Sequence, residues 1–180
     1  LGIDFILSST QKAWGLPAGF SICAVSDRLI EKSQNMKNKG YFLDIQTYEK
    51  YYAKNQTPTT PSIPHMYGLK KVLSLIEDEG LEARWERHKN MSEYTRNWVE
   101  NHQQELFTSP DAISYTLTCI KNVQEWNIEK INEELLSKGF RMDRGYGKFR
   151  FKTFRIPHMG NVHMEDLKEY LNIFESVICQ

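Results

Sequence analysis

The sequence predicts an α/β chain that closes with a small α+β unit of element order β-α-β-β-α. Two runs of β-branched and aromatic residues near the amino end, residues 3–7 and 20–25, have the length of buried strands. Helical spacing extends over residues 65–102, and strand and helix patterns alternate after it. We therefore expect two regions, residues 1–102 and residues 103–180, with the long helix at their junction.

The first region begins with a predicted hairpin. A polar turn that contains Lys12 joins the two strands, and Asp27 is expected to cap a short helix over residues 28–33. Residues 37–40 have the composition of a loop. Residues 41–52 are rich in aromatic side chains, and their periodicity does not decide between a helix and an extended segment.

Residues 56–64 contain three prolines and three threonines. This composition predicts a stiff, extended loop that presents hydroxyl and amide groups outward and suits an anion. Helical spacing begins at His65, and Gly80 allows a break before residues 81–102 continue the helix. The spacing is carried by apolar residues three and four positions apart: Met66, Leu69, Val72, Leu73 and Ile76.

The terminal unit is predicted from alternating strand and helix segments that surround a glycine turn. In order, these are a strand over residues 113–120, a helix from the Asn127 cap to Leu136, strands over residues 140–144 and 149–156, and a helix over residues 162–178. Gly139 is expected to end the first helix, and the turn at residues 145–147 separates the two later strands.

Composition limits the classes of function. Lysine plus arginine and aspartate plus glutamate number 23 each, so no overall basic footprint for nucleic acid or an acidic membrane is visible. No apolar run reaches membrane-spanning length. Cys23, Cys119 and Cys179 show no metal-ligand spacing, and neither do the five histidines. We expect reduced thiols in a cytoplasmic protein, with Cys23 and Cys119 in the core.

Lys12 is the most informative single residue. A lysine in a turn at the buried edge of two strand patterns must be solvated, paired or neutralised, and neutralisation makes its amine a nucleophile. We therefore predict that Lys12 forms a Schiff base with an aldehyde cofactor. The ordinary alternative is a solvated turn lysine.

Three motifs, in order along the chain, resemble one known family. They are Ser-Ser-x-Gln-Lys over residues 8–12 with Gly-Leu-Pro-Ala-Gly over 15–19, Asn-Gln-Thr-Pro-Thr-Thr-Pro over 55–61, and Phe-Arg-Ile-Pro-His-Met-Gly over 154–160. Together they resemble the class V (fold type I) pyridoxal-phosphate-dependent aminotransferases, especially the phosphoserine, serine–glyoxylate and alanine–glyoxylate branches. The resemblance implies the carboxyl-terminal half of such an enzyme: the end of the large cofactor domain with its linking helix, then the small domain.

The resemblance implies a pyridoxal 5'-phosphate site. Lys12 would carry the cofactor as an internal aldimine and shuttle the proton. Gln11 and one of the two preceding serines, Ser9 or Ser8, would contact the cofactor beside it. Gln56 and Thr57 would lend an amide and a hydroxyl to the phosphate held by the neighbouring subunit, which implies an obligate homodimer with the active site at the interface. Each of these polar residues has an ordinary alternative as a turn former or as part of a proline-stiffened linker.

Arg155 is the predicted substrate-binding residue. It lies between Phe154 and Ile156 in an apolar strand pattern, where an unpaired guanidinium is costly. The resemblance assigns it the α-carboxylate of the amino acid, which a guanidinium can bind through two parallel hydrogen bonds. The alternative is a structural ion pair with Asp143 or Glu165.

The implied activity is amino transfer between a small L-amino acid, of the phosphoserine, serine or alanine type, and a 2-oxo acid, with no nucleic-acid or membrane partner. Residues that hold the pyridine ring would precede Leu1, so we expect these 180 residues alone to bind the cofactor weakly and to transaminate negligibly. A desulfurase or another lyase on the same cofactor is the nearest rival, but no cysteine lies in a loop pattern. A non-catalytic dimerisation module is the third hypothesis.

Overall fold

The chain begins with the antiparallel hairpin that the sequence predicts. In the computed structural model, which describes residues 2–178, β1 (Phe5–Ser9) pairs with β2 (Ser21–Val25). The register runs from Phe5 opposite Val25 to Ser9 opposite Ser21. The first strand therefore lies two residues later than predicted, because the two serines before the lysine turn extend the ladder.

Three helices follow the hairpin: α1 (Asp27–Gln34), α2 (Ile45–Tyr52) and α3 (Ile63–Glu79). The cap of α1 is Ser26, whose Oγ accepts a hydrogen bond from the Leu29 amide, and not the predicted Asp27, which lies in the first turn. The segment that the sequence left open is helical from residue 45, since the Asp44 carboxylate caps α2. Residues 56–62 form a loop before α3, which begins at Ile63 and not at the predicted His65, because proline is tolerated in the first turn of a helix.

A second set of elements follows the predicted break at Gly80, whose φ is +81°. These elements are α4 (Leu81–Asn101), β3 (Glu105–Leu106), β4 (Leu117–Lys121), α5 (Ile128–Ser137), β5 (Thr153–Pro157) and α6 (Met164–Ile178). The three strands form an antiparallel sheet in the order β3-β4-β5. Asn127 caps α5 as predicted.

The order of the terminal strands differs from the prediction: β-β-α-β-α is observed instead of β-α-β-β-α. The predicted strand over residues 140–144 does not form, and from it only Asp143 makes an isolated bridge, opposite Arg155. The last strand begins at residue 153 and not at 149, because Gly147–Phe149 form a 3₁₀ turn and Phe151 adopts a positive φ of +63°, which interrupts extended backbone. In addition, β4 begins four residues later than predicted, and β3 was not predicted.

The apolar core lies between the three-stranded sheet and the helices of the same region. Phe154 and Phe174 are fully buried, and their ring centroids lie 5.9 Å apart. The indole of Trp98, on α4, meets the Phe174 ring edge-on at 5.2 Å. Aromatic packing of this kind fixes β5 against α4 and α6.

The chain divides into two compact units, Leu1–Leu75 and Ile76–Gln180, which we call the first and second units. The division falls within α3. The predicted boundary between residues 102 and 103 separates the domains expected in a longer protein. The two units do not test it, so it stays a prediction.

Candidate active site

The turn that carries Lys12 is held together by a buried threonine. Thr10 is fully buried, and its Oγ1 lies 2.8 Å from the Pro17 carbonyl oxygen and 3.0 Å from that of Phe20. The Lys12 carbonyl accepts a hydrogen bond from the Gly15 amide at 2.9 Å. The backbone around the lysine is thus satisfied within the hairpin, which presents the side chain from a defined position.

The side chain of Lys12 is exposed, and no hydrogen bond or ion pair to its Nζ occurs within residues 2–178. The buried edge that the sequence suggested is therefore not formed by this part of the chain, because β1 and β2 pair only with each other. Gln11 is also exposed, and Ser9 is half-buried. The preceding Ser8 is engaged, since its Oγ accepts a hydrogen bond from Trp14 Nε1 at 2.7 Å.

His65 ties the lysine turn to the start of α3. Its Nε2 lies 3.1 Å from the Pro17 carbonyl oxygen, and its ring stacks on Phe20 at a centroid distance of 5.9 Å. Its Nδ1 lies 2.8 Å from Ser62 Oγ, at the end of the proline-threonine loop. His65 therefore has a structural role, and it connects two of the three motifs within the first unit.

The proline-threonine loop lines an open groove of about 570 Å³ formed by residues 56–61. Gln56 and Thr57 are both exposed. The Thr57 hydroxyl donates to the Thr59 carbonyl at 2.7 Å, whereas the Gln56 side-chain amide makes no hydrogen bond to any described residue. The loop thus presents polar groups outward, as predicted.

Arg155 lies on β5 and forms an ion pair with Asp143. Its Nε donates to Asp143 Oδ1 at 2.8 Å, and its Nη2 donates to Asp143 Oδ2 at 2.6 Å. The structural ion pair that the sequence left open is therefore present, with Asp143 and not with Glu165 as its partner. Hydrogen bonding to Arg155 lowers the pKa of Asp143, and the same bonds raise the pKa of Arg155.

The six predicted site residues fall into three groups. Ser9, Gln11 and Lys12 share one turn, and Gln56 and Thr57 share one loop in the same compact unit. Arg155 belongs to the second unit. No described hydrogen bond joins the turn to the loop directly, and their link through His65 gave no signal in the sequence beyond its position next to a motif.

Two histidines of the second unit are buried, and burial lowers the pKa of each. His158, directly after β5, is fully buried, and its Nε2 lies 2.9 Å from Thr118 Oγ1. Burial lowers the pKa of His158 to about 4. His88 is also buried, its Nδ1 lies 2.6 Å from the Arg84 carbonyl oxygen, and burial lowers its pKa as well. Both imidazoles are packing elements of α4 and the sheet.

The two described cysteines, Cys23 and Cys119, lie on different strands. Cys23 lies on β2 and is exposed, which corrects its predicted core position, because the two-stranded sheet is not covered there. Cys119 lies half-buried on β4, and burial raises the pKa of its thiol. Cys179, whose thiol is also predicted to be reduced, lies outside the described residues. Within residues 2–178, no group of three or more potential metal ligands occurs, and no helix is long and apolar enough to cross a membrane.

The sequence of this chain is similar to those of known proteins of one family. The sequence profile of the class V aminotransferases matches residues 1–146. An uncharacterised aminotransferase of Methanocaldococcus jannaschii is 35% identical over 161 residues, which cover 88% of this chain and 42% of the relative. The serine–glyoxylate aminotransferase of Arabidopsis thaliana is 33% identical over 165 residues, which cover 90% of this chain and 41% of the relative.

A solved structure agrees with these matches. The crystal structure of the alanine–glyoxylate aminotransferase from Nostoc sp. superposes with a TM-score of 0.89 at 28% identity, covering 98% of this chain and 48% of that protein. The chain thus spans less than half the length of the curated relatives that it matches. The mixed α/β architecture predicted from the sequence is that of the carboxyl-terminal portion of these enzymes.

Proposed function

Because this chain belongs to the class V aminotransferases, a pyridoxal-phosphate-dependent family, we propose that its protein transfers an amino group from a small L-amino acid to a 2-oxo acid. The observation that carries the proposal is the exposed primary amine of Lys12 in a turn that hydrogen bonds of Thr10, Lys12 and Gly15 hold within the hairpin. We infer a substrate of the serine, alanine or phosphoserine type, since a serine–glyoxylate and an alanine–glyoxylate aminotransferase are among the similar proteins.

The described residues fit pyridoxal phosphate in chemical type. An aldehyde requires an amine without a competing protein partner, and Lys12 Nζ has none within residues 2–178. A phosphate requires hydrogen-bond donors, and the Ser9 hydroxyl and the side-chain amides of Gln11 and Gln56 supply them. The Thr57 hydroxyl donates to the Thr59 carbonyl, so it would have to turn its hydrogen toward the phosphate. When bound, pyridoxal phosphate supplies an electron sink for the charge that develops at the substrate α-carbon.

In this proposal Lys12 has two roles. Its Nζ would hold the cofactor through its aldehyde group, and once the substrate amine displaces it the free Nζ would act as general base and acid. It would take the proton from the α-carbon of the amino acid and pass it to the cofactor carbon that bore the aldehyde. In the second half-reaction it would move a proton in the opposite direction, onto the α-carbon of the product amino acid. Amino acid and 2-oxo acid thereby exchange one amino group for one carbonyl oxygen.

Arg155 would hold the substrate carboxylate in both half-reactions. Its Nη1 and the outer hydrogen of Nη2 make no hydrogen bond to any residue that the structure describes. A guanidinium edge of this kind matches the spacing of two carboxylate oxygens. The carboxylate is common to amino acids and 2-oxo acids, so the same contact would serve both substrates.

We further infer a cytoplasmic homodimer in which residues 1–102 complete the large domain and residues 103–180 form the small one. The loop at residues 56–61 supports the dimer, because it turns its polar groups into an open groove and not onto the Lys12 turn of its own chain. Gln56 and Thr57 would then bind the cofactor phosphate of the neighbouring subunit.

The first experiment tests Lys12 in the protein as it occurs in the cell. The protein is incubated with pyridoxal phosphate, reduced with borohydride and mapped by peptide mass spectrometry. We expect a pyridoxyl group on Lys12, its loss in Lys12→Ala, and no change in Lys54→Ala, which removes another exposed lysine of the first unit. Labelling at saturating cofactor that omits Lys12 would refute the proposed role and favour a non-catalytic module.

The second experiment tests whether the loop acts across subunits. Lys12→Ala and a Gln56→Ala/Thr57→Val double variant are expected to be inactive separately. If the loop serves the neighbouring subunit, mixing and re-forming dimers recovers activity at up to about a quarter of the wild-type sites, because one site of each heterodimer is intact. If the loop serves its own chain, every site in the mixture carries one defect and no activity returns.

A further inference from the structure

The ion pair between Arg155 and Asp143 occupies one defined edge of the guanidinium. The carboxylate bridges Nε and Nη2, with distances of 2.8 Å and 2.6 Å. This is the side edge of the planar group. The end edge, made of Nη1 and the outer hydrogen of Nη2, is left without a described partner, and 37% of the Arg155 side chain is exposed.

Asp143 is itself held in place by local backbone. The Gly145 amide donates to Asp143 Oδ1 at 3.0 Å, and the Asp143 backbone forms its isolated bridge opposite Arg155. Gly145 adopts φ +77°, and a Cβ there would lie 2.5 Å from the Thr153 carbonyl oxygen and 2.6 Å from that of Phe149. Only glycine fits this turn, so the turn fixes the carboxylate before any ligand arrives.

We propose that Asp143 is a positioning residue that takes the side edge of Arg155 and presents the end edge to the carboxylate of the amino acid and the 2-oxo acid. This inference rests on the proposed function of Arg155 and adds a residue that the sequence analysis treated only as an alternative partner. A long arginine side chain loses conformational freedom when it binds a ligand, and a fixed second carboxylate removes that loss in advance.

The pair also changes the electrostatics of binding. With Asp143 ionised, the pair has no net charge, so a substrate carboxylate is recognised through two directed hydrogen bonds more than through long-range attraction. The carboxylate of Asp143 does not need to leave, because the two carboxylates would use different edges. Arg155 would therefore bind planar carboxylates in preference to compact anions such as chloride.

The kinetic test uses Asp143→Ala and Asp143→Asn in the complete enzyme loaded with its cofactor. We expect KM to rise about 10-fold or more for both the amino acid and the 2-oxo acid, with kcat changed less than about twofold. A merely structural role would instead reduce the number of active sites, which lowers kcat and leaves KM unchanged. The matched control is Glu129→Gln, which breaks the 2.6 Å ion pair of neighbouring Arg144 and should leave both constants unchanged.

A second readout needs neither turnover nor a variant. In ¹⁵N-labelled protein, adding propionate as an unreactive carboxylate should shift the Nη resonances of Arg155 and leave its Nε resonance unchanged, because the Asp143 contact persists. Movement of Nε on titration would show that the ligand displaces Asp143, and this result would overturn the proposal. An unchanged or lower KM in Asp143→Ala would overturn it as well.

The outcome for Arg155 separates this inference from the function beneath it. If Arg155→Lys raises KM for both acids and Asp143→Ala does not, only the positioning role fails. If Arg155→Lys leaves KM unchanged, the proposed function of Arg155 fails, whatever Asp143 does.

Discussion

The two compact units bury different kinds of side chain. Among the described residues, Val72 is the one buried hydrophobic side chain of the first unit, whereas Thr10 and Ser33 are buried polar ones. The second unit contains a continuous apolar cluster around Phe154 and Phe174. The first unit is therefore held mainly by hydrogen bonds, and the second mainly by an apolar core.

Among the described residues, large exposed apolar side chains occur in both units and are more numerous in the first. Phe5, Ile6 and Leu7 on β1 are about half exposed, and Phe42 is 64% exposed. Apolar side chains that lie together on a strand commonly mark an interaction surface. The unit that carries Lys12 therefore leaves much of its apolar surface uncovered, whereas the unit that carries Arg155 has a packed apolar core beneath the strand of that residue.

The largest expected effect comes from removing a core aromatic ring. Phe174→Ala deletes a fully buried ring in contact with Phe154 and Trp98, so the free energy of unfolding should fall by about 3–5 kcal/mol. The matched control, Phe5→Ala in the first unit, removes a ring that is 45% exposed. It should lower the free energy of unfolding far less. Urea unfolding of both variants measures the difference. Equal losses would contradict the contrast between the units.

The second effect is acid destabilisation of the second unit. Burial holds the pKa of His158 at about 4 against an ordinary 6.5, with His88 and Arg96 lowering it further by repulsion. The unfolded chain therefore takes up this proton at a higher pH than the folded chain, so stability is highest above pH 6.5 and falls as the pH drops to about 4. For His158 the loss is on the order of 3 kcal/mol.

This pH effect is measured as urea midpoints between pH 7 and pH 4. His88, whose pKa is lowered by burial and by Arg87 and Arg84, adds to it in the same direction. His158→Gln should flatten the profile, whereas the substitution of exposed His163 by glutamine should not. If the urea midpoint of His158→Gln falls with pH as steeply as that of the wild type, groups other than His158 cause the acid destabilisation.

The smallest effect is expected in the hydrogen-bonded first unit. Thr10→Val keeps the side-chain shape but leaves the carbonyl oxygens of Pro17 and Phe20 without the Thr10 hydroxyl, so stability should fall by about 1–2 kcal/mol. Amide hydrogen exchange of residues 10–20 should accelerate first. Thr60→Val, which changes an exposed threonine with no described side-chain hydrogen bond, serves as the control and should leave exchange unchanged.

Most of the elements could be predicted from local pattern. The hairpin, the break at Gly80 and the Asn127 cap follow from periodicity and from residues with special backbone or capping chemistry. The strand predicted over residues 140–144 could not be rejected in this way. A strand forms only where a partner supplies a ladder, and that partner is decided by the path of the whole chain.

The candidate site shows the same limit. The motif around Lys12 indicated the amine and its turn, because turn chemistry is local. Sequence alone did not indicate that Thr10 holds the turn, that His65 connects it to α3, or that Asp143 and not Glu165 pairs with Arg155. These contacts join residues between 7 and 48 positions apart, and no spacing rule covers such distances.

By itself the sequence determined which chemical groups this protein has available: one amine in a polar turn, a loop of amides and hydroxyls, and a guanidinium on an apolar strand. The tertiary structure decided which edge of that guanidinium is occupied and which side chains are buried. The reason is that chemical type is a property of each residue, whereas burial and hydrogen-bond partners arise only when distant segments pack together.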